Sequence, residues 1–318
     1  VSVNNRIFYA IQALGIAEHN VVETPTSGAY SGVVLPSGTQ TAHGVQSVGL
    51  NTTFNLEQVF ELGQLELYEN IEGIPDIELT AQKVLDGYPL LYHLATPGAT
   101  SATLVGRSNE RCYGALNIYP DTMDYASGVP LQTVGMSGMY VSALTYTLNV
   151  DGNSTEDITL VGNNKKWYVS GVFFDPDDEF GGTDEPLSIA TSGGVQRRED
   201  VLMGSGATSS LWPTEIPGID ASGYNIESGD AYLAHIQTVT VSTDLGREEL
   251  LELGRRGPYY RFVSFPVEVT CAIEVTSSEG DLVDALADPP GGTNLTNQRI
   301  KVFMREGTVL DLGLRNKL

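Results

Sequence analysis

The chain matches itself. Residues 45–63 read VQSVGLNTTFNLEQVFELG, and residues 236–254 read IQTVTVSTDLGREELLELG, an offset of 236 − 45 = 191 with no gap. Gln46/Gln237, Val48/Val239, Glu57/Glu248 and the closing Glu-Leu-Gly are identical, and pairs such as Val45/Ile236 and Phe54/Leu245 are conservative. The register continues to Pro75 and Pro266, and after one deletion residues 77–80 (IELT) match 267–270 (VEVT). A match this long with so little slippage reads as an internal duplication. Whatever one copy folds into, the chain has to accommodate twice.

Each copy follows the same local pattern. It opens with an alternating strand, with Val45, Ser47 and Gly49 on one face and Gln46, Val48 and Leu50 on the other, mirrored at 236–241. A short helix is expected next, over 56–62 and 247–253, of about two turns each. Asn55 and Gly246 take the capping positions, Gln58 and Glu249 stand three residues on, and Gly63 and Gly254 supply the stop. Pro75 and Pro266 then begin another strand, at a position where a missing N–H is tolerated.

Further strands are expected at 144–150 and 158–161, on either side of Asp151-Gly152-Asn153, because Asp-Gly readily adopts positive φ in a hairpin. Residues 115–118 and 300–303 are also strand-like, and each is followed by a short strand closing in Gly, at Gly135 and Gly313. These landmarks divide the chain into units of about 1–135 and 136–318. Residues 175–211 read as a long surface loop, acidic at Asp175, Asp177, Asp178 and Glu179, then rich in Gly and Ser, with a basic spot at Arg197 and Arg198. The whole is mainly β, which suits a chain with 35 Gly and a hydrophobic fraction of 41%.

Charge excludes several functions. Over 318 residues, 40 Asp and Glu stand against 17 Lys and Arg, a formal net charge of −23. Such a chain repels phosphate backbones and anionic lipid, so tight binding to nucleic acid or to a membrane surface is not expected. No segment approaches about 20 consecutive apolar residues, and residues 1–15 lack the apolar core of a signal peptide. Cys112 and Cys271 lie in alternating apolar runs and read as small core residues, which fits folding in a reducing cytosol.

No catalytic constellation emerges. His19, His43, His93 and His235 are scattered, and the metalloprotease, nucleophile-elbow and P-loop strings are absent. Gly204-Ser205-Gly206 is half a dinucleotide fingerprint without the strand–turn–helix setting that such a site needs. The Asp175–Glu179 stretch alternates oxygen ligands, but Phe180 stands where an EF-hand requires Gly, and Pro186 stands at the bidentate position. Glu248 and Glu249 are adjacent, which does not form a glycosidase pair. Asn51, Asn153 and Asn294 head Asn-x-Ser/Thr strings, which matter only in a secreted protein. No enzyme, cofactor or metal is expected.

Several strings together resemble the tail tube proteins of long-tailed bacteriophages. They are NRIFY at 5–9, FNLEQVFELGQ at 54–64, PDIELT at 75–80, DLGREE at 244–249, ELG at 252–254 and FPVEVT at 265–270. The resemblance spans most of both halves and fades across 170–235. It implies two tandem tube-type β-sandwich or barrel units, each with a short helix, whose protomers close into rings that stack as a hollow tube. It implies assembly roles for Phe54, Leu56, Val59, Phe60, Gly63, Pro75, Val239, Glu248, Leu250, Gly254 and Pro266. With two fused units per chain, a trimer of hexamer-like shape is expected, a hexamer being the alternative.

The partners so implied are other copies of the chain, a tape measure protein in the lumen, and tail terminator, baseplate and sheath proteins. Genomic DNA would pass in transit without tight binding. The implied location is the virion tail, after assembly in the host cytoplasm. A ring-forming baseplate hub or tail-completion protein is an alternative of the same class. A carbohydrate- or calcium-binding β-sandwich using residues 175–185 is an alternative of another.

Overall fold

The computed structural model describes residues 12–19, 39–63, 67–96, 99, 103–120, 129–169, 174, 194–204, 234–254, 257–277, 296–298, 300–313 and 315–317. In the first half these form β1 (Gln12–Glu18), β2 (Gln40–Thr41), β3 (Val45–Thr53), β4 (Leu56–Phe60), β5 (Leu67–Glu72), β6 (Asp76–Val84), α1 (Leu91–Ala95), α2 (Leu104–Ser108) and β7 (Cys112–Ile118). There follow β8 (Gln132–Asn149), β9 (Thr155–Gly162), β10 (Asn164–Tyr168), β11 (Val201–Gly204), β12 (Ala234–Asp244), β13 (Arg247–Leu250), β14 (Tyr260–Val263) and β15 (Val269–Ser277). The short strands β16 (Thr296–Gln298), β17 (Lys301–Met304), β18 (Val309–Asp311) and β19 (Asn316–Lys317) close the chain. The fold is mainly β, as the alternation predicts.

β8 organises the molecule, because its 18 residues serve two sheets. Its first half lies between β7 and β10, in the order β2-β1-β7-β8-β10. Its second half lies between β9 and β12, in the order β3-β6-β9-β8-β12-β15, and every pairing is antiparallel. The handover falls at Gly138, whose φ is +64°, and a register shift follows between Val141 and Ala143. Side chains disfavour that φ, so glycine lets the strand bend from one sheet into the other. Leu14 and Ile16 of β1 share one buried cluster with Ile77 and Leu79 of β6, Leu144 of β8 and Ile158 and Leu160 of β9, so the sheets pack face to face.

The matched segments lie at opposite ends of the six-stranded sheet. β3 pairs β6 at one end, β12 pairs β15 at the other, and β3 and β12 run the same way. Both carry an irregularity at the same position, between Val45 and Ser47 and between Ile236 and Thr238. The extra residues are Gln46 and Gln237, and they correct the strict alternation expected from the sequence. The bulge turns Val45 to the core face with Val48 and Leu50, leaving Ser47 and Gly49 outside. In the next strands, Val48 pairs Ala81 and Val239 pairs Ile273, which aligns Ile77 with Val269 instead of Val267. A slip of two residues preserves every side chain's face.

The short helices expected at 56–62 and 247–253 are hairpins. Two helical turns bring few hydrogen bonds against the cost of nucleation. A hairpin instead pairs β4 with β5 and β13 with β14 along their length. Gly63, with φ +94°, and Gly254, with φ +85°, are turn residues. A helix stop and a hairpin turn both demand positive φ, so the glycines alone did not distinguish them. The two short helices among the described residues are α1 and α2, both in the first half.

α1 is held by a carboxylate from the sheet. Glu156, fully buried on β9, accepts from the backbone N–H of Leu91 at 2.7 Å, from that of Tyr92 at 3.1 Å and from the Tyr146 hydroxyl at 3.0 Å. Its cross-strand neighbour Lys83, equally buried, donates to His43 O and Asp86 Oδ1, both at 2.7 Å. Burial still pushes the Glu156 carboxyl above its usual range. Cys112 is free and buried, its thiol pushed up to about 12 by desolvation, and Cys271 is free and half-buried.

Of the loop expected at 175–211, residues 194–204 are described, and they are not irregular throughout. Arg198–Asp200 form a 3₁₀ turn that leads into β11, and β11 pairs β17. Residues 175–193 and 205–211, and NRIFY at 5–9, lie outside the described residues.

Candidate functional site

Two hairpin arms rise from one rim of the six-stranded sheet, where β3 and β12 end and β6 and β15 begin. Their registers coincide under the 191-residue offset. Leu56 faces Glu72 as Arg247 faces Val263, and Val59 faces Glu69 as Leu250 faces Tyr260. At the roots, Gly73 N–H donates to Asn55 O at 2.6 Å, and Ser264 N–H donates to Gly246 O at 2.9 Å. Leu62 and Leu253 stand fully exposed at the tips.

The second arm is seated on the body. Arg247 Nε donates to Val141 O at 2.7 Å, and another of its nitrogens donates to Ser108 O at the end of α2. Its guanidinium lies 5.3 Å over the Tyr140 ring, and burial lowers its pKa to about 10. Tyr260 packs edge-on against Tyr140 at 5.6 Å and donates to Asn109 O at 3.1 Å. Arg261, nearly buried, forms an ion pair with Glu249 across the hairpin and one with Asp76 at the head of β6, at 3.2 Å. Asn163, at the corner between β9 and β10, accepts from Arg261 at 3.2 Å and donates to Pro75 O at 2.9 Å. The arm therefore leans from β12 across β8, β9 and β6.

Among the described residues, the first arm shows no seat of that kind. Every residue of β5 is exposed, and of β4 only Val59 is half-buried. Phe54, Leu56, Phe60, Tyr68 and Ile71 lie open to solvent, which is unusual for so many large apolar groups in one place.

The outer face of the six-stranded sheet is the second feature. One row across it reads Ser47, Gln82, Asp157, Thr145, Ser242 and Thr270, each paired to the next. Asp76, Glu78, Asp244 and Glu274 join Asp157 on that face, and its remaining positions are mostly Thr, Ser and Asn. No described position on it is Lys or Arg. The opposite face carries Leu79, Ile158, Leu160, Leu144 and Val241 into the core.

The residues expected to serve assembly fall into three places. Phe54, Leu56, Val59, Phe60 and Gly63 belong to the first arm, and Glu248, Leu250 and Gly254 to the second. Pro75 and Pro266 stand where the arms return to the sheet, Pro75 half-buried and Pro266 exposed. Val239 is in neither arm. It is buried in β12 between Leu148 of β8 and Ile273 of β15, so it is an interior position. Arg247, Tyr260 and Arg261 were missed, because their partners lie far away in sequence. Among the described residues, no group of three or more His, Cys, Asp or Glu could hold a metal ion, and no helix is long and apolar enough to cross a membrane.

No protein-family model matches the chain. No curated protein matches it either. Among solved structures, it is similar to the cap that terminates the tube of the anti-feeding prophage, at 11% identity over 54% of this chain and 95% of that one, with a TM-score of 0.35. It is similar to a chain of the extended sheath–tube complex of an extracellular contractile injection system, at 9% identity over 52% and 94%, also with a TM-score of 0.35. A chain of a native gene transfer agent virion matches at 10% identity over 43% and 93%, with a TM-score of 0.28.

Proposed function

We propose that the chain is a structural virion protein that closes with copies of itself into rings and stacks them into a tail tube, with the outer face of the six-stranded sheet as the inner wall. The observation that carries this reading is that face. It is continuous over six strands and rich in hydroxyls and carboxylates, and none of its described strand positions is Lys or Arg, Arg261 of the second arm reaching only Asp76 at its rim. Such a wall holds water and repels a polyanion, so DNA can pass without counterion-release binding. On this reading the halves, 1–135 and 136–318, are two quasi-equivalent units that meet within β8. Three chains then close a ring of six units.

Electron microscopy of purified chain tests the reading: long open tubes with three chains per ring are expected. Discrete rings favour a hub or tail-completion role, six chains per ring overturn the fused-unit arrangement, and persistent monomers overturn assembly altogether. Reversing the wall's charge with Glu78→Lys, Asp157→Lys and Glu274→Lys together is expected to make assembled protein retain DNA at low salt. If the wild-type and reversed tubes retain equal amounts, the wall is not where this reading puts it.

A further inference from the structure

We infer that the first arm, residues 54–73, seats on a second copy of this chain, at the β15 end of its six-stranded sheet, with Phe262, Phe265 and Val269 as its apolar floor. The inference rests on the ring-forming reading above and names the contact that would hold neighbours together.

The second arm supplies the template. Both arms leave parallel strands at the same rim with the same internal register. The second leans from β12 over the strand tops on its β3 side, where β8, β9 and β6 receive it. The same lean from β3 would carry the first arm past the end of its own described sheet, beyond the reach of the strands that seat the second arm. Among the described residues, β3 has only β6 beside it and β15 has only β12. The two strands run in opposite directions, so the β15 of one copy fits antiparallel against the β3 of the next. That placement brings the head of β15 under the overhanging arm. Phe265, Val269 and Phe262 are exposed there.

Charge favours the same pairing. Residues 54–73 contain five Glu and no Lys or Arg, whereas residues 245–264, which would lie alongside in the neighbour, contain four Arg and three Glu. Two first arms, each with five Glu, would repel each other, whereas residues 245–264 carry a net 4 − 3 = +1, so a first arm beside a second arm meets no such repulsion. The exposed aromatic and branched side chains of the first arm then gain cover that the monomer does not provide.

A photo-crosslinking residue at Phe60, in full-length chain mixed with unmodified isotope-labelled chain, tests the seat. Cross-links to residues 259–277 of the labelled chain are expected. Rings with Phe60 linked to another segment, or only within its own chain, overturn the seat and leave ring formation standing. A chain that stays monomeric at high concentration overturns both. In a second measurement, Phe54→Asp with Ile71→Asp is expected to weaken self-association in sedimentation by about tenfold or more, with unchanged thermal unfolding of the monomer. Unchanged association refutes the seat.

Discussion

Phe54 and Leu245 hold the same position in the two matched segments, yet Leu245 is 0% exposed and Phe54 is 70% exposed. Truncating Leu245 to Ala is expected to cost about 2–5 kcal/mol in denaturant unfolding, as for other core leucines. Phe54→Ala in the unassembled chain is expected to stay within about 0.5 kcal/mol of wild type. Equal losses in the two variants would mean that Phe54 is already covered in the monomer.

Glu156 gives a pH signature of known sign. Burial raises its carboxyl above the ordinary 4.5, so the folded chain holds this proton more tightly than the unfolded chain. The stability it contributes is in place below that pH and is lost as pH rises through the raised value. Measured against Glu156→Gln by urea unfolding, wild type is therefore expected to lose ground as pH rises from 4.5 through the raised value, and to lose no more above it. A constant or widening advantage for wild type excludes this assignment.

Arg261 ties the second arm to the body through Glu249, Asp76 and Asn163. Its carboxylate partners keep contact with water, so Arg261→Ala is expected to cost about 1–3 kcal/mol, less than a fully buried pair. Hydrogen exchange should quicken in β13 and β14 and remain unchanged in β4 and β5. Uniform quickening in both arms would show that the clamp is not local.

At Gly138, a Cβ would meet no atom within 4 Å, so only the backbone opposes a side chain there. Gly138→Ala is expected to lower stability by about 1–2 kcal/mol through its positive φ, read as a lower melting temperature. No change would mean that the bend in β8 tolerates an ordinary φ.

The strand content was legible because alternation and Asp151-Gly152 are local signals, and β8 and β9 do flank that turn. The arms were misread because Gln58, Val59 and Phe60 find their partners in Asn70, Glu69 and Leu67, beyond the stretch that looked helical. The bulge at Gln46 inverted one face assignment for a similar reason, since it depends on pairing with Lys83 and Gln82. The carboxylate face could not be assembled from the sequence, because Asp157 joins it only through Gln82 on one side and Thr145 on the other. Arg261 and Asp76 meet across 185 residues, a pairing that no local pattern encodes.

β8 also bears on how the chain comes apart. A chain of two self-contained halves would melt in two steps, the weaker half first. Here a single strand supplies backbone partners to β7 and β10 at one end and to β9 and β12 at the other. Neither sheet can lose it without stranding amides in the other, so heat should unfold both layers in one transition, and a proteolytic nick within β8 should destroy the whole fold.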